Sequence, residues 1–255
     1  MPTPKPLKVS VVTAAYNAAL TLPDTLRSVA GQSYPMVEHI VIDGGSKDTT
    51  AEVIAQHGGH LAHFVSESDC GIYDAMNKGI ALASGDIICF LNADDVYAHA
   101  DVLDKVAQAM QADDLDALYG DVALFHSERP QHLVRRYRSS RFSPARIAWG
   151  WMPAHPALFV HRRVFEWVGP FKIDYRIAGD FEFIARAFRS GELRYRHIPE
   201  VLVHMRTGGV STRGWRNTLL LNREVLRACR ENGIYTNALM LLSKYPYKLL
   251  EFILP

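Results

Sequence analysis

The sequence predicts an α/β fold on a mostly parallel, Rossmann-like sheet. Three observations predict it. Apolar, β-branched runs alternate with amphipathic stretches through the first hundred residues. The first of these runs is apolar on both faces, as a strand buried between helical layers is. Polar clusters at 13–17, 43–48, 66–69 and 92–95 follow the runs. In parallel sheets ligands bind beyond the carboxyl ends of the strands.

Each element has a local reason. Residues 8–14, KVSVVTA, read as a buried strand. Thr21 stands where it caps a helix with Pro23 and Asp24 in its early turn; Leu22, Leu26 and Val29 form its apolar stripe. Residues 37–42, VEHIVI, are a second strand ending at Asp43-Gly44-Gly45-Ser46. Asp48 and the threonines after it start a helix that Gly58-Gly59 stops. Residues 61–66 are a third, shorter strand, and 71–83 a helix closed by Ser84-Gly85. Residues 86–91 are the fourth strand, which delivers Asp94 and Asp95. A helix is expected at 99–110.

The second half reads differently. Strands are expected at 117–125, 133–137 and 157–160, helices at 162–168, 180–190 and 215–231, and an aromatic loop at 149–153. No linker separates two domains. Residues 1–232 read as one domain whose second half completes the sheet and walls its carboxyl edge; 233–255 read as a C-terminal amphipathic helical segment.

Composition excludes several classes. A chain of 255 residues with 48% hydrophobic content supports one large core. The net charge of +1 argues against a nucleic-acid binder. Cys70, Cys89 and Cys229 are odd in number and far apart, with neither a disulfide framework nor zinc spacing, so a reducing, cytoplasmic compartment is expected. MPTPKPLK lacks a signal peptide's apolar core, and no apolar run reaches the roughly 18 residues of a membrane span. No GxGxxG follows the first strand, which disfavours a dinucleotide dehydrogenase.

The stretch CFLNADD, 89–95, aims two carboxylates out of a greasy run. Adjacent carboxylates repel, and burying them uncompensated is expensive. A divalent cation shared with a phosphate lowers that cost, and Mg²⁺ prefers such oxygen ligands. The plain alternative is a turn that caps the helix at 99–110. Taken alone, the motif leaves both open.

The surrounding motifs run in order: VVTAAYN at 11–17, IVIDGGSKD at 40–48, GIYDAMNKGI at 71–80, ASGD at 83–86, then FLNADD. This series resembles the family-2 glycosyltransferases of the GT-A fold. The resemblance continues through HPALF at 155–159, GDFEF at 179–183 and GGVS at 208–211. It is nearest to bacterial enzymes of exopolysaccharide and O-antigen synthesis. It implies a nucleotide-sugar-binding half at 8–98 and an acceptor and catalytic half at 99–232.

Roles follow from the resemblance. Thr13, Ala14 and Tyr16 lie in the loop that would hold the nucleotide, and Asp43 would face its base, commonly uracil. Asp74 and Lys78, at i and i+4, would lie near the nucleotide or its diphosphate. Asp94 and Asp95 match the metal-binding acidic motif, with Asp95 expected as the direct ligand to Mg²⁺ or Mn²⁺. Asn92-Ala93 is a mild departure from the family pattern. Asp180, after Gly179 at a helix start, is the candidate general base; helix capping is its alternative role. A one-step displacement would invert the anomeric centre.

Other residues keep two readings. His155 touches a sugar or packs in the core. His204, in VLVHMRTGGVS, gives a final metal or phosphate contact or is a half-buried strand residue. Arg206 and Arg213 pair with diphosphate oxygens or are simply two among many arginines. Trp149 and Trp151 form a sugar platform or pack a core. Arg135, Arg136, Arg138, Arg141 and Arg146 form a solvated face or meet lipid phosphate. The C-terminal segment lies on a membrane, packs on the domain or forms a homodimer.

The expectation is a cytoplasmic, metal-dependent, inverting glycosyltransferase, peripheral to the inner face of the plasma membrane if membrane-bound. Its donor would be a nucleotide sugar, chiefly a UDP-sugar, and its acceptor a glycan, free or polyprenyl-diphosphate-linked, in bacterial surface polysaccharide synthesis. Nucleic acid is not an expected partner. The rivals are a nucleotidyltransferase, which usually has a Gly-rich basic loop where AAYNAAL stands, and a non-catalytic nucleotide-sugar-binding protein.

Overall fold

A computed structural model of the protein describes residues 5–126, 129–207 and 214–244. The chain runs β1 (Val9–Ala15), α1 (Leu22–Ala30), β2 (Val37–Asp43), α2 (Thr50–His57), β3 (His63–Ser66), α3 (Ile72–Leu82) and β4 (Ile87–Phe90). It continues with β5 (Val96–Tyr97), α4 (Val102–Ala112), β6 (Ala117–His126), β7 (Arg129–Tyr137), β8 (Leu158–His161) and α5 (Arg162–Val168). Then come α6 (Gly179–Phe188), β9 (Tyr195–Arg206), α7 (Gly214–Glu231) and α8 (Ala238–Leu242). Short 3₁₀ turns cover Ser139–Arg141, Pro144–Trp149 and His155–Ala157.

One mixed sheet carries the fold, in the order β3-β2-β1-β4-β8-β6-β9-β5, with β7 paired to β6. The four strands of the first half are mutually parallel. β8 is antiparallel to both β4 and β6, while β9 runs parallel to β6. The second half therefore completes the same sheet, as expected.

The core lies on both faces of that sheet. Val12, Ile40, Ile88 and Phe90 pack with the apolar sides of α3, α6 and α7 on one face. Val9, Val11, Ile87, Cys89 and Leu91 meet Val102, Leu103, Val106 and Met110 of α4 on the other. Fully burying one such side chain stabilises by about 1.5–3 kcal/mol. An aromatic stack adds to the first face, with Phe165 and Phe183 centred 4.8 Å apart.

Two devices fix the strands and α3 relative to the sheet's carboxyl edge. At the opposite edge the buried Glu38 accepts hydrogen bonds from Ser10 Oγ at 2.5 Å, Ser84 N at 2.5 Å and Gly85 N at 3.0 Å, and pairs with Lys8 at 2.5 Å. Burial would raise its carboxyl, but the bonds from Lys8, Ser10 and Ser84 outweigh it and hold the group at about 2. β1, β2 and the turn into β4 are thus stitched into register. Gly79 lets α3 lie close on β1, since a Cβ there would stand 2.3 Å from Val12 Cγ1.

Local expectations shift in three places. Thr21 occupies the cap position of α1, but its side chain makes no cap bond. The helix expected at 99–110 begins at Val102 behind Asp101, six residues beyond Asp95, with the two-residue β5 between, so the acidic pair is not its cap. β9 is a twelve-residue strand, of which only the stretch around His204 was expected to be extended. Gly208, Gly209, Val210, Ser211 and Arg213 lie outside the described residues, as does the C-terminal segment beyond Lys244.

Candidate active site

The parallel register aligns the polar ends of the strands. Ala15 of β1 pairs with Asp43 of β2, and Asp43 with Ser66 of β3. Leu91 N, just past β4, bonds Val12 O at 3.0 Å, so the acidic pair leaves from the same edge. The sheet therefore places Asp43, Asp94 and Asp95 along one rim.

Asp43 is only 1% exposed, yet its carboxylate is well supplied. It accepts from Ser46 N at 3.1 Å, from Ser66 Oγ at 2.6 Å and from Ser46 Oγ. The loops after β1 and β2 then bind each other: Asn17 N donates to Ser46 Oγ at 2.7 Å, and Asn17 Oδ1 accepts from Lys47 N at 2.8 Å. Asn17 takes a left-handed φ of 49°, which Asn tolerates. Ser46, Ser66 and Asn17 are structural members of this rim to which the motifs assign no role.

Thr13 differs from the expected nucleotide contact. Its side chain is fully buried, and its hydroxyl lies 3.0 Å from His39 Nε2. His39 Nδ1 in turn lies 3.0 Å from His60 Nε2. Ala14 is half-buried beside it, and Tyr16, 61% exposed, is the residue of this loop turned to solvent. Burial, then the neighbouring His60, drive the His39 ring down to about 3. That value lies below the ordinary unfolded value of about 6.5. Between about pH 6.5 and 3 the unfolded chain binds a proton that folded His39 refuses, so stability falls as pH drops. Thermal melts from pH 7 to 4 are expected to show this loss, and His39→Gln is expected to flatten the slope.

The acidic pair is electrostatically unfinished. Asp95 is fully buried; its Oδ2 accepts from Asn92 Nδ2 at 2.9 Å, and its Oδ1 has no hydrogen-bond partner among the described residues. Burial, then the charge of Asp94, push the Asp95 carboxyl well above the usual carboxylate range; Asn92 and Arg206 oppose without cancelling this. Burial also raises Asp94, again against Arg206, but Asp94 is only partly covered. Arg206 is itself tied to Asp24 and stacked 5.4 Å from the Phe125 ring centre. An orphaned buried carboxylate oxygen beside a second carboxylate fits a bound divalent cation, which favours oxygen donors. Asp94 is the more accessible of the two.

His204 does not complete a ligand set here. Its backbone pairs with Val96, next to Asp95, and its ring stands edge-on to Phe125 at 6.3 Å. Burial, then His99, lower its imidazole. Among the described residues no three His, Cys, Asp or Glu side chains converge as a metal site.

Asp74 and Lys78 share a face of α3, 3.7 Å apart. Lys78 is held more closely by Glu67 at 2.7 Å and by Ser68 O at 3.2 Å, and Asp74 accepts from Cys70 N at 3.0 Å. A diphosphate reaching Lys78 would compete with Glu67, a partner that spacing along one helix does not reveal.

Asp180 lies in the first turn of α6, two residues past the cap position, which Ala178 occupies. Its Oδ1 accepts from Phe181 N at 2.8 Å and lies 3.3 Å from the Tyr73 hydroxyl. Tyr73 belongs to α3, so the fold brings Asp180 against the helix that carries Asp74 and Lys78. A cleft of about 310 Å³ opens there between Cys70–Tyr73 and Ile173–Arg176.

The remaining candidates pack or pair. The His155 ring stacks on Phe90 at 5.4 Å, and burial lowers its imidazole although Asp180 opposes this. Trp151 is buried with Arg141 over its ring at 5.9 Å, whereas Trp149 is 43% exposed. Arg136 is no free surface charge: it pairs with the buried Asp121 at 2.7 Å.

Known proteins resemble this chain in sequence and in fold. The family described as Glycosyl transferase family 2 matches residues 10–173. A "PGL/p-HBAD biosynthesis glycosyltransferase" of Mycobacterium bovis is 33% identical over 212 residues, covering 79% of this chain and 78% of that protein. An uncharacterised glycosyltransferase of Mycobacterium tuberculosis is 38% identical over 181 residues, covering 70% and 68%. Among solved structures, S. aureus TarS 1-349 in complex with UDP-GlcNAc superposes with a TM-score of 0.66 at 18% identity, over 86% of this chain and 67% of that one. The mannosyltransferase PcManGT from Pyrobaculum calidifontis, in complex with GDP-Man and Mn²⁺, gives 0.65 at 21% identity over 89% of this chain. At these identities the two structures speak for the fold, a GT-A fold. This chain spans 65% of the TarS fragment in another of its structures and 64% of PcManGT, less than two thirds of either.

Proposed function

Because the chain belongs to glycosyl transferase family 2, we propose that it moves a sugar from a nucleoside diphosphate to a glycan acceptor, inverting the anomeric carbon in one displacement. UDP is the first choice of nucleotide; TarS binds UDP-GlcNAc, and PcManGT, which binds GDP-Man, makes GDP the alternative. The observation that carries the reading is the orphaned Asp95 Oδ1 beside Asp94 at the carboxyl rim, in one row with Asp43.

In this reading Asp43 receives the base, and the loop that ends in Tyr16 covers it. Asp94 and Asp95 would hold Mg²⁺ or Mn²⁺ between them, with the unpartnered Asp95 Oδ1 offered as a ligand. The chemistry such an ion supplies is neutralisation of the charge that grows on the leaving diphosphate. Asp180 accepts the proton of the attacking acceptor hydroxyl. Lys78, released from Glu67, and Arg206 offer cationic partners to the phosphates. Work on bacterial surface polysaccharide would give a glycan acceptor, including a polyprenyl-diphosphate-linked one. A lipid-linked acceptor suits the exposed Leu239 and Leu242 of α8 as a membrane-facing edge.

The test is a thermal-shift and hydrolysis screen of UDP- and GDP-sugars, with Mn²⁺, Mg²⁺ or neither. The expected result is stabilisation and slow hydrolysis with one nucleotide class, only with metal. Absence of any metal-dependent shift across the panel would overturn the reading.

A further inference from the structure

The loop that delivers Asp180 is gripped from two sides at one peptide group. Ile177 O accepts from the Tyr73 hydroxyl at 2.7 Å, and the N–H of the same peptide group, Ala178 N, donates to Glu224 Oε2 at 2.8 Å. Tyr73 projects from α3, and Glu224 from α7. Glu224 also accepts from Arg176 N at 2.8 Å and Ile177 N at 2.9 Å, so three successive amides converge on one carboxylate that is 8% exposed. The Tyr73 phenol is 5% exposed. Burial, then Asp180, push it far above its ordinary value, so it remains a neutral donor throughout the working range.

The grip is built with little slack. The Tyr73 ring lies so close to Gly179 that a Cβ there would stand 2.7 Å from it. One turn along α3, Asn77 binds Phe171 twice: Nδ2 to Phe171 O at 2.8 Å and Oδ1 from Phe171 N at 2.9 Å. Asp74 and Lys78 lie on one edge of α3, while Tyr73 and Asn77 on a neighbouring edge hold the loop that leads to Asp180. In the proposed reading one helix would then set the distance between leaving group and base.

We propose that Tyr73 and Glu224 are positioning residues: they clamp the Ile177–Ala178 peptide group through its carbonyl and its N–H and so fix the Asp180 carboxylate relative to the donor. This rests on the reading of Asp180 as the general base. A misplacement on the order of 1 Å costs about a hundred-fold in rate, and releasing one jaw of the clamp permits a shift on that scale.

The test compares Tyr73→Phe, Glu224→Gln, Asp180→Asn and the double variant Tyr73→Phe/Asp180→Asn in the full chain. Turnover of the nucleotide sugar chosen by the screen is normalised to the number of sites that bind UDP with Mn²⁺, which removes any unfolded fraction. Tyr73→Phe keeps the ring against Gly179 and loses only the hydroxyl, so it remains informative if Glu224→Gln folds poorly. The expected result is a fall in kcat of roughly ten- to a hundred-fold in each single clamp variant. The KM for the donor should stay within about two-fold, since neither residue lines the base pocket. Added to Asp180→Asn, Tyr73→Phe should cost nothing further, as it acts through that carboxylate. An Asp180→Asn protein that turns over normally would remove the base reading and the clamp with it. An inactive Asp180→Asn beside clamp variants of unchanged kcat, or an additive double variant, would overturn the clamp alone.

Discussion

Asp180→Asn is expected to lower turnover by about 10²- to 10⁴-fold, the range a positioned general base contributes, and to leave UDP affinity unchanged. Asn keeps the shape of the side chain and can still accept from Phe181 N, as the carboxylate does at 2.8 Å. It can also keep its place near the Tyr73 hydroxyl. What it loses is the ability to take a proton from an acceptor hydroxyl. Released nucleotide, measured against UDP binding by calorimetry on the same preparation, separates the two effects. Equal turnover would strip Asp180 of its role; a parallel loss of UDP binding would make it a structural residue of the cleft.

Asp94→Asn is the second large effect, with an expected loss of about 10²- to 10³-fold, comparable to removing one preorganised stabiliser of developing charge. The physical reason is the uneven state of the pair. Asp95 is fully buried and braced by Asn92, whereas Asp94 is only partly covered. Asp94 would therefore be the accessible ligand to a cation and Asp95 Oδ1, without a partner among the described residues, the buried one. Removing one of two like charges also relieves repulsion, so the metal-free variant should melt no lower than the parent. Mn²⁺ should stabilise the parent by mass action and the variant hardly at all.

Much of the donor half can be read from residues alone. β1, β2 and β4 are unbroken apolar runs closed by turn residues, and their bounds fall within two residues of expectation. Asp43, Asp94 and Asp95 can be located because they follow such runs. β9 is harder, since Arg196, His197, Pro199 and Glu200 break its pattern; its long pairing with β6 decides its state. The supports of Asp180 cannot be read this way. Glu224 sits in an amphipathic helix where a glutamate is unremarkable, and its three amide partners lie nearly fifty residues away. Thr13 falls at the strand end where a ligand contact is expected, yet His39, two strand positions into β2, claims its hydroxyl. Lys78 matches a helix-face pair with Asp74, while its shorter contact, Glu67, comes from the loop before the helix.

The central claim is that the acid pair holds the donor diphosphate through a cation. Calorimetric titration of UDP into the full-length protein, with and without Mn²⁺, tests it most directly when parent and Asp94→Asn are run side by side. Tighter UDP binding with Mn²⁺ in the parent, and no such gain in Asp94→Asn, is the predicted outcome. Equal UDP affinity with and without the ion, or a gain that survives in Asp94→Asn, would contradict it.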